Sequence, residues 1–198
     1  MNVSRRLEAF AGVVSGQHLV LRMEDIRWLT GFTGSTAQLL VNADSRESWL
    51  LVDGRYVERA TEELSFAQST TTVQPVVNGA VLEEVLQKLI GSSPIGVDPA
   101  HLTAAHMDAL CSKFSVEKVP SPCDDLRRVK DNDEIAAMSK AASIADTALQ
   151  QVVADGLCGR TEKEVRVQLD YLMKLAGADD VGFETIVATG IHGARLLG

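Results

Sequence analysis

Basic residues are in short supply: 19 Lys and Arg stand against 27 Asp and Glu in 198 residues, for a formal net charge of −8. Nucleic-acid binding needs clustered Lys and Arg to displace counterions, so this balance excludes nucleic acid as the main partner. The charged runs mix their signs, as in Asp124-Asp125-Leu126-Arg127-Arg128-Val129-Lys130-Asp131, and read as solvated, ion-paired surface. Cysteine is equally sparse. Cys111, Cys123 and Cys158 are odd in number and widely separated, so they draw neither a disulfide framework nor a CxxC metal site. Long apolar runs are missing too. Stretches such as Leu39-Leu40-Val41 are far too short to cross a membrane, and the opening Met1-Asn2-Val3-Ser4-Arg5-Arg6-Leu7-Glu8 has no signal-peptide core. The expectation is a reduced, cytoplasmic protein with no membrane partner. A hydrophobic fraction of 45% supplies a core.

What is present is organised by period. Leu7, Phe10, Ala11 and Val14 recur at helical spacing. Short strands are predicted at His18–Leu21, Ile26–Thr30, Ala37–Val41 and Trp49–Val52, separated by Gly31, Gly34-Ser35 and Asn42–Ser45. A helix follows with Tyr56, Val57, Ala60 and Leu64 on one face, then a strand at Thr70–Val73. Next come a helix carrying Val81, Leu82, Val85, Leu86 and Leu89, a strand at Ile95–Val97, and a helix from about Thr103. This order predicts an α/β domain: a mixed, largely parallel sheet of five or six strands with flanking helices. Pro120 and Pro122 cannot sit inside a helix and mark an extended boundary, giving domains at 1–122 and 123–198.

Beyond that boundary the pattern is helical. Asp131 with Glu134 and Thr161 with Glu164 are capping boxes, and Ile135, Met138, Ala142, Ala145, Leu149 and Val152 form an apolar stripe. Phe183–Ala188 is predicted as a strand. Two amphipathic helices and one strand cannot enclose a core of their own, so their apolar faces need a cover.

The residues alone give no active site. Gly31-Phe32-Thr33-Gly34-Ser35 could present backbone N–H groups to an anion, but it lacks a phosphate-loop pattern and precedes a strand. His101 and His106 are five apart, off the four-residue spacing of a helical zinc pair. Adjacent side chains diverge, which argues against a shared metal at Asp124-Asp125 or Asp179-Asp180.

Five segments in order resemble the creatinase and Xaa-Pro peptidase family: Ile26–Ala37, Leu50–Tyr56, Ile95–Asp98, Asp125–Ile135 and Phe183–Gly190. The resemblance implies a creatinase-like N-terminal domain followed by an incomplete α+β "pita-bread" segment. In that family the catalytic half holds two divalent metal ions (Mn, Co or Zn) and cleaves bonds next to proline. It also implies a homodimer, with the N-terminal domain bordering a neighbour's active site; Phe32, Arg55 and Tyr56 sit on the matching motifs. Residue by residue, the chain departs from the pattern where the family places a reactive histidine, because Leu197 stands there. The later metal ligands have no residues here to map onto, and His192 is not promoted to the missing role. No catalytic or metal-binding residue is therefore assigned, no cofactor is expected in these residues, and the chain by itself is predicted inactive. A plainer reading of Asp53-Gly54-Arg55-Tyr56 is a strand-to-helix turn, with Arg55 ion-paired and Tyr56 on the core. The alternative functions are a non-catalytic binding or dimerisation module, and an unrelated α/β binding domain. A reading frame continuing past Gly198 with the family's metal ligands would separate the enzyme from the module.

Overall fold

The computed structural model describes residues 3–194, in two compact units that meet between Val129 and Lys130. In the first unit, α1 (Val3–Val13) leads to β1 (Gln17–Val20), α2 (Met23–Thr30), β2 (Gln38–Asn42) and β3 (Glu47–Asp53). Then come α3 (Val57–Phe66), β4 (Thr72–Val76), α4 (Gly79–Ile90), β5 (Ile95–Val97), α5 (Ala104–Cys111), β6 (Val116–Lys118) and α6 (Cys123–Leu126). The strands form one six-stranded sheet in the order β4-β3-β2-β1-β5-β6. β1, β2 and β3 pair antiparallel; β4 joins β3, β5 joins β1 and β6 joins β5 in parallel. The mixed sheet with flanking helices is as expected from the sequence.

Strand periodicity explains the two layers. Side chains alternate faces along a strand. Leu39, Val41, Leu50 and Val52 bury one face under Phe10 of α1, Ile26 and Leu29 of α2, Ala60 and Leu64 of α3, and Cys123 of α6. Leu40 and Leu51, one residue out of phase, bury the other under Leu86 and Ile90 of α4 and Met107 of α5.

Two expected strands are corrected. Ile26–Thr30 lies in α2, a helix, because Ile26, Leu29 and Thr30 are buried at i, i+3, i+4 spacing and Glu24 and Asp25 occupy the first turn. Gly31 ends the helix at φ 84, and its N–H donates to the Arg27 carbonyl at 2.8 Å. Phe183–Ala188 forms no strand among the described residues. A strand needs a neighbour for its backbone groups, and no described strand pairs with this stretch. The sixth strand is instead β6, three residues long. The stretch after Pro122 turns into α6 rather than remaining extended.

The second unit contains α7 (Asn132–Ala154), α8 (Glu162–Leu175) and the single turn α9 (Gly190–Gly193). Both capping boxes form as the sequence indicates, Asp131 with Glu134 and Thr161 with Glu164. Only Ala148 and Val152 of α7 are buried, and no residue of α8 is.

Candidate functional site

Two loops that start far apart in sequence meet at one end of the sheet. After α2, the Gly31–Ala37 loop must turn tightly. A Cβ at Gly34 would sit 2.2 Å from the Phe32 ring, so only glycine lets the chain fold over that ring. After β3, Asp53 caps the following turn by accepting the Arg55 N–H at 2.8 Å.

The structure brings Phe32, Arg55 and Tyr56 together. The Phe32 and Tyr56 rings stand edge to face with centroids 5.9 Å apart. The Arg55 guanidinium lies 5.8 Å from the Tyr56 ring. The Tyr56 and Ser35 hydroxyls are 2.7 Å apart and tie the loops together. Their exposures differ sharply. Phe32 is 0% exposed and supports the site from beneath, whereas the Arg55 side chain is 81% exposed. Arg55 donates to Asp53 through Nε at 3.1 Å and Nη2 at 2.6 Å. This pairing holds the Asp53 carboxyl below its ordinary range and raises the Arg55 guanidinium. The plainer reading of an ion-paired Arg55 thus matches the geometry.

The glycine turn has its own anion. The Glu63 carboxylate accepts the Thr33 N–H at 2.8 Å and its hydroxyl at 2.5 Å, while Arg59 reaches both partners. Burial works to raise the Glu63 carboxyl, but the bonds from Thr33 and Arg59 outweigh it and hold the group below its ordinary range. The N–H group that the sequence could have offered to a ligand is already bonded to a side chain of α3.

This arrangement has no paired nucleophile and base. Its polar groups hold one another in place, Arg55 donating to Asp53 and the Tyr56 hydroxyl bonded to that of Ser35. The other sequence candidates lie elsewhere. His101 Nε2 is 3.3 Å from Arg22 Nη1 and 3.8 Å from Asp98 Oδ2; Asp124 pairs with Arg22, Asp125 with Arg128, and Asp180 with Lys174. His192 Nδ1 is 3.0 Å from Glu162 Oε2. Leu197 lies outside the described residues. Among those residues no three His, Cys, Asp or Glu side chains converge where a metal could sit. Two hard divalent ions need several oxygen ligands, so the donor set present does not fit a dimetal centre. A separate groove of about 410 Å³ lies between α4 and α5 over Leu19, with His101 and His106 on its rim. Its volume suits a small ligand, and the charged groups that line it, Glu83 and Lys113, are paired with each other.

A mixed sheet with helices on both faces, capped by a paired-loop donor site and followed by a thinly packed helical unit, defines an α/β headpiece with an appended segment. Comparison with known proteins gives the family. The Creatinase/Prolidase N-terminal domain matches residues 13–129, and Metallopeptidase family M24 matches residues 136–198. The chain belongs to the creatinase/prolidase family, with the start of an M24 domain behind its N-terminal domain. An Xaa-Pro dipeptidase of Pyrococcus furiosus is 29% identical over 150 residues, covering 74% of this chain and 43% of that protein. The solved Xaa-Pro dipeptidase from Bacillus anthracis superposes with a TM-score of 0.81 at 27% identity, over 96% of this chain and 53% of that one. An X-Pro aminopeptidase from Thermotoga maritima gives 0.77 at 26% identity, covering 93% and 52%. The chain thus spans about half the length of these relatives.

Proposed function

We propose that these residues are the front half of an Xaa-Pro peptidase, and that the whole protein hydrolyses peptide bonds adjacent to proline with two divalent metal ions, Mn, Co or Zn. One observation carries the reading: the two family matches follow one another along the chain in the order that the resemblance requires. The metal centre belongs to residues beyond those described, and residues 1–198 alone are inactive. In the assembled protein, Arg55 and Tyr56, backed by Phe32, border the substrate site of a neighbouring subunit and donate to the peptide. The protein is a cytoplasmic homodimer. No described helix is long and apolar enough to cross a membrane. The exposed faces of α7 and α8, including Ile135, Met138, Val167 and Leu175, give such a dimer apolar surface to bury.

Metal content and hydrolysis of Xaa-Pro peptides with added Mn²⁺ or Co²⁺ test this. They should be measured for residues 1–198 and for a polypeptide that also carries the remainder of an M24 domain. The expected result is stoichiometric metal and turnover only in the longer polypeptide; either property in residues 1–198 overturns the reading. A second reading, a non-catalytic binding or dimerisation module, is favoured by those same apolar faces. It predicts a longer polypeptide that assembles but does not turn over. Light scattering tests the dimer, and a monodisperse monomer that binds no hydrophobic dye counts against it.

A further inference from the structure

In open α/β sheets the ligand crevice lies at the carboxyl ends of the strands, where neighbouring connections depart to opposite faces. This chain has that point between β1 and β5. After β1 the chain crosses to the α2 face, and after β5 to the α5 face. The crevice is filled by the chain itself. Val119, Pro120, Ser121 and Pro122 line it and leave about 20 Å³, room for about one water, beside Arg22, Asp25, Asp98 and His101.

The fastening is specific. Asp25 is 1% exposed, and a carboxylate so buried must be paired. Its Oδ1 accepts Arg22 Nη2 at 2.6 Å, from its own helix start, and Arg127 Nη1 at 2.9 Å, from 102 residues away. Arg22 Nη2 also reaches Asp124 Oδ1 at 2.5 Å, so two guanidinium groups and two carboxylates interlock. Asp98 at the end of β5 accepts the Ser121 N–H at 2.8 Å. The Val119 N–H donates to the Val97 carbonyl at 3.0 Å, and Cys123 is buried in the core below.

We propose that Val119–Arg127 is a docked strap, closed by an Arg22–Asp25–Arg127–Asp124 clasp that seals the switch-point crevice and fixes where the chain leaves the first unit. α7 begins at Asn132, a few residues beyond Arg127. The clasp therefore anchors the chain just before the second unit begins at Lys130. It is independent of any peptidase activity.

Hydrogen exchange on the full chain tests it, read beside the rate at which a thiol reagent labels Cys123. In Arg127→Met, which keeps the apolar stem, the amides of Val119, Ser121, Cys123 and Arg127 should exchange at least tenfold faster. Cys123 labelling should accelerate in parallel, while the β2–β3 ladder amides are unchanged. Asp124→Asn, at a side chain 69% exposed, should give a smaller acceleration confined to the same amides. Connector exchange and labelling in Arg127→Met within twofold of the unaltered chain would overturn the proposal. So would equal acceleration of the ladder amides, which would mean that Arg127 merely supports the fold.

Discussion

The two units are held together by different physics. In the first, Phe10, Ile26, Leu29, Leu39, Leu40, Leu50 and Leu51 are essentially removed from water, and both sheet faces are covered. In the second, Glu162, Arg166, Asp170 and Lys174 recur every four residues along α8. They grip the chain that follows: Glu162 accepts the Thr189 N–H, Arg166 pairs with Glu184, Asp170 accepts the Thr185 hydroxyl, and Lys174 pairs with Asp180. The apolar side chains of Phe183, Ile186 and Ile191 remain exposed. Burial of apolar area dominates folding free energy, whereas exposed ion pairs contribute little. The first unit is therefore self-sufficient, and the second awaits a cover.

The largest expected effect is in the first core. Leu40→Ala should cost about 2–5 kcal/mol of stability in denaturant unfolding, whereas Leu175→Ala, at an exposed position, should cost under about 0.5 kcal/mol. Equal losses would erase the distinction.

A chemical probe sharpens the same contrast. Burial pushes the Cys123 thiol from its ordinary value near 9.0 up to about 12, while Cys111 and Cys158 are exposed. At neutral pH a thiol reagent should label Cys111 and Cys158 rapidly and Cys123 only on opening. Because the folded state holds the Cys123 proton more tightly than the unfolded state, this contribution is complete below pH 9. It is lost at up to about 1.4 kcal/mol per pH unit as pH rises from 9 towards 12. Cys123→Ser should flatten that decline in pH-dependent unfolding.

A small, salt-dependent effect is expected at the charged stripe. Arg166→Ala should change stability by under about 1 kcal/mol, and 1 M salt should remove most of the difference. A larger, salt-insensitive loss would mean that the stripe does more than hold a solvated segment.

How much of this was legible depended on how local the cause was. Both capping boxes, the helical stripe of α7 and the alternation in β2 and β3 are set by neighbours a few residues away, and the sequence displays them. Ile26–Thr30 reads as a strand because five residues fit a strand or a buried helical turn equally well; the decisive spacing from Ile26 to Leu29 and Thr30 is short. β6 is too brief to show a period. Phe183–Ala188 has strand composition, but pairing depends on a partner. Of the candidate site, the motifs around Phe32 and Arg55-Tyr56 were visible, yet their meeting through Ser35 and Tyr56 comes from the fold. The Asp25–Arg127 contact, across 102 residues, leaves no local trace.

Hydrogen exchange across the full chain at neutral pH tests the division most directly. Amides of β1, β2, β3 and β5 should be protected by several orders of magnitude more than those of α8 and of 180–192. Comparable protection throughout both units would contradict a headpiece that folds by its own core beside a segment that lacks one.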